Sequence, residues 1–206
     1  MVILQTQPFF GAKKIPFEEI TSLEKNSPEI IVYAIPFMAF FTFLEIGYSW
    51  YNNRKNYKTR ETIGSTLVGL GNVGINFLLK VGFLYGAVWI YNLVPWRMEF
   101  SWWAFLPCYI IFDFCSYWAH RVSHVQRFFW ATHVVHHSAE NYNLTVSFRL
   151  SWIQNLKILF FLPVALLGFH PVLIFIVSQV AVFFQFWVHT EYIRKLHPII
   201  EYIFAT

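Results

Sequence analysis

Five apolar runs separated by short polar stretches set the plan of this chain. The first, Ile30 to Tyr48, is interrupted by Pro36 and, near its end, by Glu45. A bilayer crossing needs about 20 such residues, so this run is long enough to span as a helix. The second, Leu67 to Val94, carries Lys80, and a lysine inside an apolar run snorkels to the interface or faces protein. The third, Phe100 to Trp118, contains Asp113. The fourth and fifth, Ile158 to Phe169 and Val172 to Val188, are parted by Gly168-Phe169-His170-Pro171. The glycine and proline predict a turn and hence a helical hairpin; the alternative is a fourth helix that starts earlier, around Trp152, with Lys157 near the interface. The pattern predicts an all-α integral membrane bundle of about four to five membrane helices, one domain over residues 1–206.

Composition sharpens this. Charged residues make up 13% and hydrophobic residues 57%, against roughly 25% charged in soluble domains. That excludes a disordered chain and argues against a cytosolic globule. Phenylalanine, at 24 copies, suits lipid-facing and core positions, while tryptophan and tyrosine favour membrane interfaces. The net charge of +4 comes from scattered lysines and arginines, which fits a membrane protein and no nucleic-acid partner.

Charge also sets an orientation. Arg54, Lys55, Lys58 and Arg60 follow the first run; Arg121, Arg127 and Arg149 follow the third; Arg194 and Lys195 follow the fifth. The turns near Pro95 and Pro171 carry no such excess. Basic loops face the cytoplasm, so the segment His120 to Arg149 and the tail are expected there. Met1 to Phe10 lacks the basic-then-apolar layout of a cleaved signal peptide. Cys108 and Cys115 would lie about 10 Å apart along a helix, too far to bridge, and form no zinc motif.

The histidines carry the chemistry. None precedes position 120, and His120, His124, His133, His136 and His137 fall within 18 residues. The first pair has i, i+4 spacing and the last three i, i+3, i+4, so on helices each set puts its imidazoles on one face. That density points to metal ligation. It exceeds one tetrahedral site, which suggests a dinuclear centre. There is no H-E-x-x-H signature. Asp113, Tyr117, His120 and His124 share a helical stripe roughly 60° wide, and Asp113 is the only aspartate in the chain. Asp113 and Tyr117 are therefore expected to support the ligands from behind, or Asp113 to pair with a basic residue such as Lys80. His189 ends the fifth run on the same side and is a further metal candidate. His170 and His197, each before a proline, are expected to be structural.

At this point the residues become recognisable. The run Asp113-Phe114-Cys115-Ser116-Tyr117-Trp118-Ala119-His120-Arg121-Val122-Ser123-His124, then Trp130-Ala131-Thr132-His133-Val134-Val135-His136-His137-Ser138-Ala139-Glu140-Asn141-Tyr142-Asn143-Leu144-Thr145, resembles the fatty acid hydroxylase/sterol desaturase superfamily. The stretch Ser138 to Leu144, with Arg149, is most similar to its alkylglycerol monooxygenase-like branch. The resemblance covers about residues 100–206. It implies membrane helices capped by a cytosolic, histidine-bound pair of iron ions that uses O2 and an electron donor protein or reductant to hydroxylate or desaturate a lipid or sterol. His120, His124, His133, His136 and His137 match its first two ligand motifs, and His189 matches a later family histidine. The branch further implies a reduced pterin, but where it tends to place an acidic residue after the first motif this chain has Val125. The family also carries a third motif, another H-x-x-H-H, about where this chain ends at Phe204-Ala205-Thr206. The region is therefore expected to be C-terminally incomplete. The competing expectations are a histidine-based membrane metal transporter or metal-binding protein, whose site would normally lie near the bilayer midplane, and an inactive membrane fragment.

Overall fold

The computed structural model describes residues 11–193, 195, 197 and 198. Helices α1 (Ile20–Asn26), α2 (Ile30–Tyr51), α3 (Thr59–Leu93), α4 (Phe105–Val125), α5 (Arg127–His133), α6 (Leu162–Leu166) and α7 (Pro171–Trp187) are joined by turns and short 3-10 segments, with no strand among the described residues. The chain is all-α, as the apolar runs predict.

The helices are patterned inside out. On α2 the buried positions are Ala34, Met38, Thr42, Glu45 and Ser49. They recur every three or four residues, one helical stripe. The large apolar side chains, among them Tyr33, Phe40, Phe43 and Trp50, face outward. On α4 the buried stripe is Cys108, Phe112, Cys115, Ala119 and Ser123, with Leu106, Ile110 and Phe114 outside. Phe17–Tyr51 and Thr59–Leu93 are long and apolar enough to cross a membrane. Among the described residues these two meet that test by length and composition; α4 is diluted by Asp113 and Arg121, and α7 is 17 residues long.

The central core joins α4, α6 and α7 through Cys108, Phe112, Val164, Leu173 and Val177. Cys108 and Cys115 are buried free thiols. The predicted hairpin forms, and its first arm starts before Ile158, in a 3-10 segment Gln154–Phe161 that runs into α6. Gly168 has φ +82°, and a Cβ there would lie 2.5 Å from the Trp96 carbonyl oxygen, so glycine is required. His170 is structural, as expected: its Nδ1 accepts the Val172 N–H at 3.3 Å and caps α7.

Two close approaches tie the long α3 to the rest. A Cβ on Gly71 would lie 2.5 Å from the Trp152 indole, while Trp152 Nε1 donates to Val68 O and Asn72 Nδ2 to Ser151 O, both at 3.0 Å. Farther along, Lys80 meets Glu24 at 2.6 Å and also pairs with Glu29. This corrects the alternative of a Lys80–Asp113 pair: the carboxylates that reach Lys80 come from α1 and the start of α2. Between those helices, Gln179 of α7 accepts the Ile31 N–H at 2.9 Å and donates to Pro28 O at 3.0 Å, which satisfies backbone groups freed by the break.

Candidate metal centre

The last turns of α4 deliver His120 and His124, whose Nε2 atoms face each other at 3.0 Å. The chain then reverses through Gln126, in extended conformation, and α5 ends on His133. A turn later, on the 3-10 segment His136–Ser138, His137 brings its Nε2 to 3.1 Å from that of His133. Ligating atoms of His120, His124, His133 and His137 all lie within 4.8 Å of one another. Because α5 stops at His133, the second motif does not present one face as its spacing predicts. His136 turns instead to His189, just past α7, with Nε2 atoms 3.1 Å apart.

The structure therefore brings together all the histidines singled out as ligand candidates, divided four and two, with the His136 ring 5.2 Å from that of His137. A tetrahedral ion with nitrogen ligands at about 2.1 Å has them roughly 3.4 Å apart, so the four-histidine group is compact enough to hold one. The His189 Nδ1–H donates to the Gln185 carbonyl at 2.7 Å, which leaves its Nε2 lone pair free and aimed at His136. The buried Nδ1 of His136 lacks a hydrogen-bond partner. Facing lone pairs at this distance repel unless a proton or cation lies between them. All-imidazole donors suit iron, copper, nickel or zinc, so the residues fit a metal centre.

Burial favours the neutral form of His133 and His136. It pushes His133 down to about 2 and His136 down to about 4, with neighbouring cationic and imidazole groups adding to the effect, chiefly Lys157 at His133 and His189 at His136. An unfolded histidine takes its proton near about 6.5. Between that value and about 4 the unfolded chain binds more protons than the folded one, so acidification destabilises the fold. We expect the metal-free protein to melt at steadily lower temperature as pH falls from about 6.5 toward about 4, and at a constant temperature above that window. Melting curves at a series of pH values check this; a flat profile contradicts the burial of His133 and His136.

The fatty acid hydroxylase family model matches residues 105–206, the part of the chain that carries all these histidines. Alkylglycerol monooxygenases from Xenopus tropicalis, Danio rerio and Homo sapiens are each 30% identical to the chain, over 190, 192 and 195 residues. The aligned regions are 88–89% of this chain and 41–42% of those proteins. The chain belongs to the fatty acid hydroxylase family. It spans about two fifths of the length of the curated relatives it matches. No solved structure matches it.

Within this chain, the stretch after the second motif is docked residue by residue. Glu140 pairs with Lys58, and Asn141 donates to Glu61 at 3.1 Å. Tyr142 donates to Val188 O and Asn143 to Asn56 O, each at 2.6 Å. The Leu144 N–H donates to the Glu45 carboxylate at 2.9 Å, and Arg149 Nε to Val135 O at 3.0 Å, inside the second motif. Sequence reasoning left Glu45 and Lys157 without a role; Lys157 Nζ lies 3.3 Å from His133 Nδ1. Their only signal was a charged residue in an apolar run.

Asp113 and Tyr117, expected behind the ligands, are exposed. Tyr117 accepts a hydrogen bond from Arg121 at 2.6 Å, and neither is seen to bond a histidine among the described residues. The stripe they share with His120 and His124 exists, but it faces outward two turns before the imidazoles converge. His197 is exposed and is not part of the cluster. Beside His124 lies an open cavity of about 240 Å³, lined also by Val125, Gln126, Arg127 and Trp130, with Trp130 stacked on His137.

Proposed function

We propose that this chain is the metal-holding membrane part of a non-haem di-iron oxygenase that oxidises a C–H bond of a lipid with O2. The observation that carries this is the convergence of imidazoles from α4, α5, the following turn and the end of α7 on one small volume. His120, His124, His133 and His137 would hold one ion, and His136 and His189 would contribute to a second. Bound there, iron supplies the O2 activation that no protein side chain provides.

The chain's own residues do the rest. Gln185 fixes the orientation of His189 through Nδ1, and burial favours the unprotonated, binding-ready form of His133 and His136. The outward aromatic faces of α2 and α4 suit lipid, which supports a multi-pass integral membrane protein, and the basic residues near the cluster support a cytoplasmic site. A substrate would then arrive from the bilayer, and reducing equivalents from an electron donor protein or a reductant. The open cavity beside His124 is where a reductant such as a reduced pterin could approach. Hydroxylation, desaturation and sterol substrates remain within the reading, but the alkylglycerol monooxygenase relatives make ether lipids the first substrate to try.

The test is oxidation of an alkylglycerol by the iron-loaded, full-length protein in lipid nanodiscs. We expect O2-dependent product, detected by mass spectrometry, with either a reduced pterin or a flavoprotein reductase as electron source. Iron-loaded protein that oxidises neither alkylglycerols, fatty acyl lipids nor sterols with either donor would overturn the oxygenase reading.

A further inference from the structure

Glu45 is an acidic side chain in the last third of the apolar helix α2, and it is only 7% exposed. A carboxylate taken out of water costs several kcal/mol unless hydrogen bonds or opposite charge offset it. Three donors from three separate segments converge on this one. Thr190 Oγ donates to Oε1 at 2.5 Å. Tyr57 OH, from the α2–α3 loop, donates to Oε2 at 2.5 Å, and the Leu144 N–H donates to the same oxygen at 2.9 Å. All three donors are neutral, and none of the ion pairs among the described residues includes Glu45.

Those three segments matter because of what they adjoin. Thr190 follows His189 directly. Leu144 sits at the end of the docked stretch that follows His137, and Tyr142 in that stretch holds the Val188 carbonyl at 2.6 Å. The segment carrying His189 is thus pinned on both sides of the imidazole, by Tyr142 at Val188 and by Glu45 at Thr190. The candidate ligands are all imidazoles, which are neutral when they bind, so they leave the charge of the ions uncompensated.

We propose that Glu45 is a positioning residue of the metal centre: anchored by Tyr57 and the Leu144 N–H, its carboxylate holds Thr190 so that His189 stays opposite His136, and it supplies buried negative charge that the imidazoles lack. This rests on the metal reading of the site. Tyr57 fits the role, because burial together with the Glu45 carboxylate pushes its phenol well above the usual range and keeps it a donor. A helix-borne carboxylate also explains why a residue of α2 controls a site built by α4, α5 and α7.

The test is a Co(II) titration of metal-free, full-length protein in detergent, read by the visible Co(II) absorption bands, with melting temperature recorded alongside. Glu45→Gln keeps the shape and removes the charge. Thr190→Val keeps the shape and removes the hydroxyl that ties this segment to Glu45, together with the hydrogen bond that Oγ1 accepts from the Tyr192 N–H at 3.1 Å. We expect each to weaken Co(II) binding by roughly 10- to 100-fold, the usual loss when a partner behind a metal ligand is removed, and to change the band pattern. The double variant should lose little beyond the worse single one, because both cut the same connection. A Glu45 that serves only the fold would lower the melting temperature and leave the affinity and bands of both variants at wild-type values; that result overturns the proposal. If Glu45→Gln does not fold, the bands and affinity of Thr190→Val decide it in the same way. Wild-type protein that binds no Co(II) overturns the metal reading itself, an outcome distinct from equal binding by wild type and variants.

Discussion

On the proposed metal reading, alanine at His133 should leave the protein with at most about half of its wild-type iron. His133 is 7% exposed and lies at the centre of the four-histidine group, its ring 4.7 Å from those of His120 and His137 and 4.8 Å from that of His124. Losing a group behind a ligand already costs about 10- to 100-fold in affinity, and losing the ligand costs more. Alanine at His120, His124 or His137 should act on the same ion. Alanine at His136 or His189 should act on the other, because those two face each other at 3.1 Å outside the group of four. Each single variant should then keep the other ion, and only pairs drawn one from each group should lose both, which iron per chain, measured on purified full-length variants, checks. Full iron in all four variants of the first group would show that the imidazoles converge for another reason. A uniform loss of all iron in every variant would mean that the ions are not separable and the four-plus-two division is wrong.

The second large effect is on stability. Lys80→Met should destabilise the protein by about 3 kcal/mol, because it strands two carboxylates that now share one ammonium. The side chain of Lys80 is 12% exposed and that of Glu24 is 23% exposed. Glu29 keeps 42% exposure, so water screens part of its loss and the figure sits at the low end of the range for broken buried pairs. Combining Lys80→Met with Glu24→Gln and Glu29→Gln should restore most of the stability, since the buried charges then vanish together. Asp113→Asn, at an exposed position with no part in this triad, should leave the melting temperature unchanged. Melting curves of the three proteins check it. Recovery with Asp113→Asn in place of the two glutamine changes would return Lys80 to Asp113 and contradict the structure.

These residues show what was readable in the linear order. Four of the five runs gave α-helices close to where they were expected, the fourth folded as a 3-10 segment leading into the short α6, and Gly168 to Pro171 gave the turn, because lipid-type apolar stretches and glycine–proline punctuation are local signals. The histidine spacing picked out the imidazoles that converge in the fold, because i, i+4 neighbours on a helix must share a face. The prediction strained where it extended a helix past its end. The spacing of His133, His136 and His137 implied one face, but α5 stops at His133 and His136 turns away. The stripe of Asp113 with His120 was real as geometry, yet nothing in a helical wheel says which side of the stripe is covered.

The sequence alone therefore determined the helical class and the candidate ligands, for these rest on local periodicity and on the chemistry of imidazole. Partnership was decided only in three dimensions. Lys80 joins Glu24 and Glu29, not Asp113. Glu45, which reads along the chain as an interruption of an apolar run, accepts hydrogen bonds from residues 12, 99 and 145 positions away. A buried charge takes whichever donors the packing of distant segments brings within reach, and that packing has no local periodicity from which it could be read.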